Sequence, residues 1–246
     1  MRLDKLVSES LPCSRLEAKK IILSGRVLVN GEVCKKAANK ITDDQEVIFT
    51  GTGIGTGSGS AGQNRQLSRK LYRQTARYIV INKPSGFICS THDEAYPSAL
   101  NLIDVINKSK LHFAGRLDQD TTGLVLISDD GQWTHRVTSP KYKQVKTYRI
   151  LLDTPLTEQA IESLENGVLL KDSEKLTKPA TVNILQPLEV ELIITEGRYH
   201  QVKRMIAAVG SHVESLHRTS IGHVTIAHDL EIGCWRYLTS SEKDLF

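Results

Sequence analysis

The chain has 246 residues, of which 39% are hydrophobic and 24% are charged. These fractions are ordinary for a folded globular protein and exclude a chain that is disordered throughout. No apolar run reaches the roughly 18 residues of a membrane span, and the start of the chain lacks the apolar core of a signal peptide. We therefore expect a cytoplasmic protein that does not bind membranes.

The cysteines and histidines do not have the spacing of a metal site. The four cysteines, at positions 13, 34, 89 and 234, form no closely spaced pair, so reduced thiols are expected. His200, His212 and His217 lack the helical spacing of metal ligands, and no phosphate-binding loop motif occurs. The sequence thus predicts neither a metal nor a cofactor.

The net charge of +4 conceals two stretches without any acidic residue, 47–92 and 131–152. Either stretch alone would be consistent with a solvated, lysine-rich surface. The second also contains Trp133, Tyr142 and Tyr148 between its cations. Together the stretches favour a nucleic-acid partner, because cations bind phosphates and aromatic rings stack on unpaired bases.

Residues 1–50 are predicted to form a small module of helix and strands. Ser14 and Glu17 have the spacing of a capping box, and the helix that they begin should stop at Gly25. Asn30-Gly31 is a strong signal for a hairpin turn. The strands are expected at 26–29, from 32 onward and at 47–49, with a further turn at Asp43-Asp44.

The stretch from 51 to 64 is GTGIGTGSGSAGQN, which is rich in Gly and Ser. A flexible linker is the better interpretation of this composition, and we extend it through the basic residues to 75. The linker would separate the module of 1–50 from a larger domain that spans 76–246.

The larger domain alternates strands with helices. Thr157 should cap one helix and Gly167 should end it. Strands are predicted at 78–82, 123–127, 146–152 and 190–195, and helices at 157–166 and 199–209. Since strands outnumber helices and several connections resemble hairpins, we expect an α+β fold with a largely antiparallel mixed sheet flanked by helices.

The segment from 114 to 123, directly before the predicted strand at 123–127, brings an arginine and an aspartate together. In an extended chain Arg116 and Asp118 project to one face while Leu117 points to the core. A neighbouring arginine keeps a carboxylate ionised, and such a carboxylate can act as nucleophile or base. The alternative is that Asp118 belongs only to a turn.

Two further elements carry candidate functional groups. In the predicted helix at 199–209, Lys203 lies at the edge of an apolar stripe and could reach into a cleft, whereas Arg204 faces solvent or phosphate. Tyr148 could stack on a base that has left its helix. A surface helix terminus and a buried core tyrosine are the competing interpretations.

Several of these segments match known families. The N-terminal module resembles the S4 RNA-binding domain, and the whole chain resembles the RsuA family of pseudouridine synthases. The matching pieces, in the family's order, are Arg2-Leu3-Asp4-Lys5, Asn82-Lys83-Pro84-x-Gly86, Gly115-Arg116-Leu117-Asp118 with Thr121 and Gly123-Leu124, and 196–205, EGRYHQVKRM. The resemblance implies the pseudouridine synthase fold for 76–246.

The resemblance also implies an isomerase that converts a uridine within RNA to pseudouridine without a cofactor. Asp118 would be the essential aspartate and Tyr148 the stacking tyrosine. Lys203 would be the basic partner of the aspartate, and Arg116 would help to hold the flipped nucleotide. Whether Asp118 attacks carbon or removes a sugar proton stays open.

Finer matches within 120–140 and 207–222 favour family members that modify small-subunit (16S) ribosomal RNA. We therefore expect a protein that binds this RNA in a ribosomal assembly intermediate. We also expect a monomer, because the sequence shows no evident oligomer interface. The alternatives are a large-subunit (23S) ribosomal RNA synthase and a non-catalytic S4-type assembly protein. The residues expected to bind RNA are Arg2, Lys5, Arg15, Lys19, Arg26, Lys83 and Arg204.

Overall fold

The computed structural model describes residues 1–11, 13–42, 45–51, 67–71, 76–105, 107–226 and 230–246. The chain divides into two compact units, Met1–Thr75 and Ala76–Phe246. The predicted turn at Asp43-Asp44 and most of the predicted linker lie outside the described residues. Within the described ranges, no helix has both the length and the apolar character needed to cross a membrane.

The N-terminal unit combines two helices with a small antiparallel sheet around one apolar core. Strands β1 and β2 form the predicted hairpin, β3 pairs with the other edge of β1, and a fourth strand extends the sheet in the order β2-β1-β3-β4. The elements are α1 (Leu3–Ser10), α2 (Arg15–Leu23), β1 (Val27–Val29), β2 (Glu32–Val33), β3 (Val47–Gly51) and β4 (Leu67–Leu71).

The local signals of this unit are confirmed. The Glu17 amide donates to the Ser14 hydroxyl at 3.3 Å, and the Ser14 amide donates to the Glu17 carboxylate at 2.7 Å. Gly25 follows the end of α2 with a φ of +76°. Asn30 and Gly31 both have positive φ, as a type I′ hairpin turn requires.

Strand β4 corrects the linker prediction. It lies within 51–75, yet it pairs antiparallel with β3 along its whole length. Two physical reasons account for this difference. Pairing satisfies the backbone groups on an edge of β3 that would otherwise be open, and Leu71 is buried in the core of the unit at 5% exposure.

The C-terminal unit is built on a mixed sheet of nine strands among the described residues. Its elements are β5 (Tyr78–Lys83), β6 (His112–Ala114), β7 (Thr122–Ser128), α3 (Gly131–Thr138), β8 (Lys146–Leu152), α4 (Glu158–Asn166), β9 (Thr181–Gln186), β10 (Glu189–Ile194), α5 (Gln201–Ala208), β11 (Val213–Ile221), β12 (Val224–Thr225), β13 (Trp235–Tyr237) and α6 (Ser240–Lys243).

The strand order is β13-β5-β7-β11-β8-β10-β9, with β12 paired to β11 and β6 paired to β7. Among these pairs, β7 with β11 is parallel and the others are antiparallel. The neighbouring strands β5 and β7 are buried on both faces, because their successive side chains enter two separate apolar clusters. This explains their continuous apolar sequence.

Trp133 is a core residue and not a surface platform for RNA bases. Its side chain is 1% exposed and packs edge-on against the rings of Tyr78 and Phe246. The indole N–H donates to the Lys243 carbonyl at 3.1 Å. The stacking role that its position among cations suggests is therefore wrong, since helix α3 turns this residue inward.

Candidate active site

The loop that carries the predicted aspartate joins β6 to β7. Leu117 is 7% exposed, and its amide donates to the Cys89 Sγ at 3.4 Å. Arg116 is exposed and Asp118 is half-buried. The Thr121 amide donates to the Asp118 carbonyl at 3.2 Å, which closes a turn directly before β7. The predicted alternation is confirmed, with Leu117 in the core and Asp118 outside it.

Lys83 braces this loop from the inside. Its side chain is fully buried, and Nζ donates to the carbonyl oxygens of Pro84, Phe87 and Gln119 at 3.0, 2.8 and 3.2 Å. Burial lowers the pKa of this ammonium group. The prediction that Lys83 binds RNA is therefore wrong in this structure. Its ammonium group donates to carbonyl oxygens of two protein loops, and one of these acceptors, Gln119, is next to Asp118 in the chain.

Two side chains that carry nitrogen donors, His200 and Lys203, meet at Asp118. Its carboxylate lies 3.3 Å from the His200 Nε2 and 3.8 Å from the Lys203 Nζ. Lys203 is closer to Asp120, at 2.5 and 2.7 Å, and this hydrogen bond lowers the pKa of Asp120. Within the described chain, the ion pairs of Asp118 do not include Arg116, although the two residues were predicted to lie side by side.

His200 is a residue of this cluster that sequence reasoning missed, because it was considered only as a metal ligand. It precedes α5, which begins at Gln201 and so two residues later than predicted. His200 has a φ of +48°, and its ring stacks on that of Tyr199 with centroids 3.8 Å apart. Its place within the matched segment 196–205 was the available signal.

Tyr148 and Arg218 lie opposite each other on the neighbouring strands β8 and β11. Tyr148 is 7% exposed, and the Arg218 guanidinium lies 5.9 Å from the centre of its ring. The Arg218 Nη1 donates to the Tyr148 hydroxyl at 3.4 Å. Both residues line a cavity and so combine burial with access to a ligand.

That cavity, called the cleft from here on, has a volume of about 410 Å³. It suits a single nucleotide, since ligand pockets of roughly 300–1,000 Å³ are typical for molecules of that size. All four predicted catalytic residues line it. Its polar and charged lining residues include Arg116, Asp118, Thr121, Lys146, Tyr148, His200, Lys203 and Arg218. Within the described ranges, no group of three His, Cys, Asp or Glu could hold a metal ion.

Lys146, at the start of β8, lines the cleft, and its burial disfavours the positive charge of its ammonium group. Burial lowers its pKa from 10.5 to about 8, and the nearby Arg218 acts in the same direction. The other charged groups that act on it are Glu196 and Lys178. Its Nζ donates to the Gln144 carbonyl at 3.0 Å, so one neutral acceptor partly compensates the charge.

Replacing Lys146 with Met should therefore stabilise the C-terminal unit at pH 7, by about 1–2 kcal/mol after allowance for partial solvation. At pH 7 the amine is protonated in both the folded and the unfolded chain, so its full cost is present. Between pH 8 and 10.5 the folded chain releases its proton first, so the stability of the native protein rises.

The measurement is urea unfolding at pH 7 and at pH 10, followed by tryptophan fluorescence. Both tryptophans of the chain, Trp133 and Trp235, lie in the C-terminal unit. The advantage of Lys146→Met should shrink at pH 10. The exposed Lys141 provides the control, because Lys141→Met should change stability by less than about 0.5 kcal/mol at either pH. An advantage that is equal at both pH values would contradict the prediction.

Three of the predicted RNA-binding cations are exposed but already have acidic neighbours. Arg2 and Arg15 lie 2.7 and 3.6 Å from the Asp4 carboxylate, and the hydrogen bond from Arg2 lowers the pKa of Asp4. Lys5 lies 3.7 Å from Glu9 on the same helix. The cations of these pairs are exposed even though Asp4 is buried, so phosphates can compete for them.

The remaining predicted cations differ in their exposure and in the protein contacts that their side chains already make. Lys19 is exposed on α2, while Arg26 is half-buried with its guanidinium 5.9 Å from the ring centre of Phe49. Arg204 is half-buried and donates to the Lys171 carbonyl, so part of its guanidinium is already engaged. Their contact with RNA stays a prediction.

Comparison with known proteins defines the class to which this site belongs. Residues 77–208 match the family model described as RNA pseudouridylate synthase, and residues 1–47 match that of the S4 domain. The chain belongs to the pseudouridine synthase family and carries an S4 domain at its N-terminal end. The α+β fold that the sequence predicts, with these two parts, is confirmed.

Individual relatives span almost the whole chain. It is 46% identical over 246 residues to the ribosomal small subunit pseudouridine synthase A of Vibrio vulnificus, covering 99% of this chain and 98% of the relative. The protein of that name from Escherichia coli K12 is 44% identical over 242 residues and covers 98% of each chain. A crystal structure of pseudouridylate synthase is 40% identical, with a TM-score of 0.67 and coverage of 100% and 99%.

Proposed function

We propose that this protein converts a uridine of small-subunit (16S) ribosomal RNA to pseudouridine. The observation that carries the proposal is the placement of Asp118 on the rim of a nucleotide-sized cleft that also contains Tyr148 and Lys203. The relatives that span nearly the whole chain support the choice of small-subunit RNA, since that substrate class is part of their names.

The reaction moves the base from N1 to C5 within one nucleotide. The C1′–N1 bond breaks, the uracil turns, and C5 bonds to C1′, after which C5 loses a proton and N1 gains one. To reach Asp118, the nucleotide must leave its stack in the RNA, at a cost of a few kcal/mol. We assign Asp118 to the reacting sugar and Tyr148 to the base, which its ring would contact by stacking.

Lys203 and Arg116 have supporting roles in this proposal. Lys203 lies between the carboxylates of Asp118 and Asp120, so it would keep Asp118 from turning away from the cleft. Arg116 is exposed at the cleft rim, where it would contact a phosphate of the flipped nucleotide. The exposed cations of the S4 domain would bind neighbouring RNA through its backbone. We propose a cytoplasmic monomer that acts on a ribosomal assembly intermediate.

The test is tritium release from RNA labelled with tritium at C5 of its uridines, because loss of the C5 proton accompanies the new C–C bond. We expect about one equivalent from small-subunit RNA, either naked or partly assembled with ribosomal proteins, and none from large-subunit RNA. Release only from large-subunit RNA would contradict the substrate. Release from neither RNA would contradict the enzymatic function and favour a non-catalytic assembly protein.

A further inference from the structure

Arg218 is a buried cation with an unusual set of partners. Its side chain is 2% exposed, although it lines the cleft. Nε donates to the Leu124 carbonyl at 2.8 Å, and Nη1 donates to the Arg116 carbonyl and the Tyr148 hydroxyl at 3.3 and 3.4 Å. These partners are neutral, and across the described residues no carboxylate forms an ion pair with Arg218.

The remaining nitrogen, Nη2, has no hydrogen-bond partner among the described residues. A guanidinium has five N–H donors. The N–H of Nε and the two of Nη1 make the three hydrogen bonds of Arg218, so both N–H groups of Nη2 lack an acceptor among the described residues. A buried donor without an acceptor destabilises the protein, and more so when it is charged. Thr121, which also lines the cleft, has a buried hydroxyl without a partner among the same residues.

Because these groups border a cleft of nucleotide size, a ligand oxygen is the natural acceptor. A phosphate would fit the exposed rim, where Arg116 lies, because phosphates stay solvated. The floor of the cleft, where Arg218 is buried beside Tyr148, fits the base. We infer that the Arg218 Nη2 donates to a carbonyl oxygen of the flipped uracil and stabilises the negative charge that the base acquires during the reaction.

The charge follows from the bonds that change. When C1′–N1 breaks, its electron pair leaves with the base and spreads onto the O2 and O4 carbonyl oxygens. This holds whether Asp118 bonds to C1′ or removes a sugar proton, so the inference does not depend on that choice. The charge disappears when C5 bonds to C1′. A preorganised donor at such an oxygen lowers the barrier because its contact strengthens as the charge develops.

This inference rests on the proposed function, and its test begins with Arg218→Lys. We expect the rate of a single turnover at saturating RNA to fall by about 100-fold. The dissociation constant for an RNA that has an abasic sugar at the target should stay within about twofold. In the control Arg149→Lys, an exposed arginine on β8 that pairs with Glu189, both quantities should be unchanged.

The substrate provides the second arm. A 2-thio or 4-thio group at the target uridine weakens one carbonyl acceptor at a time. For the oxygen that Nη2 contacts, the thio substitution should slow the native protein more than the Arg218→Lys variant. Equal slowing of both proteins by both thio groups would overturn the inference. So would an unchanged rate combined with weaker binding of the abasic RNA, which would assign Arg218 to a phosphate.

A second probe serves if Arg218→Lys does not fold. In that case the Asp118→Asn protein is used, because it should bind uridine RNA without reaction. The ¹⁵N resonance of its Arg218 guanidinium is then followed by NMR as RNA is added. Uridine RNA should shift this signal and abasic RNA should not, whereas equal shifts would overturn the inference. If the native protein turns over RNA and Asp118→Asn does not, the proposed function holds even where this inference fails. If the native protein itself is inactive, the proposed function has failed.

Discussion

Asp118→Asn is expected to lower turnover by about 10⁴-fold or more while RNA affinity stays within about twofold. The amide has nearly the shape of the carboxylate, but it can act neither as a nucleophile nor as a base. Removal of a group that forms or breaks bonds produces losses of this size. Affinity should persist because RNA binding depends mainly on phosphate contacts, which are distributed over many cations.

Two further aspartates make this result specific. Asp120→Asn removes the carboxylate nearest to Lys203 and leaves Asp118 intact, so we expect a loss of about tenfold or less from poorer positioning. Asp244→Asn changes an exposed carboxylate beside Lys243 at the end of the chain and should leave turnover unchanged. Tritium release and filter binding measure the two quantities. An Asp118→Asn protein with more than a tenth of the native rate would contradict the assignment.

The loop around Asp118 shows what sequence can predict about this site. Alternation of side chains along an extended segment is a local property, so it correctly places Leu117 in the core. The capping box at Ser14 is equally local, and it is present as predicted. In both cases the physical cause acts within about four residues, and the sequence contains everything that is needed.

Lys83 and Arg218 show where such prediction stops. Both are polar residues that composition assigns to the surface, and both are buried because carbonyl oxygens from separate loops and strands accept their hydrogen bonds. The contact between Arg218 and Tyr148 depends on the register of β11 against β8, and these two residues are 70 positions apart in the chain. Only the folded sheet brings these acceptors together, so the sequence could not indicate their burial.

The same long-range pairing produces the largest effect on stability that we expect. Gly123→Ala should destabilise the C-terminal unit by about 3 kcal/mol or more. Gly123 has a φ of +107°, which strains any residue with a Cβ. A Cβ at this position would lie 2.6 Å from the Arg218 backbone nitrogen, and closer still to the carbonyl oxygen of the same residue. Since both contacts are backbone atoms of the paired strand β11, a side-chain rotation cannot relieve them.

The substitution should also disturb the cleft. Gly123 lies at the start of β7, directly after the Asp118 loop, and it is the residue of β7 that pairs with Arg218. Urea unfolding by tryptophan fluorescence measures the stability, and tritium release from the residual folded protein measures the activity. Gly131→Ala is the matched control, since a Cβ on Gly131 would meet no described atom within 4 Å and the residue begins α3. It should change stability by no more than about 1 kcal/mol. If Gly123→Ala were as stable as Gly131→Ala, β7 and β11 could separate at this position without cost. That result would contradict the close pairing that fixes Arg218 at the floor of the cleft.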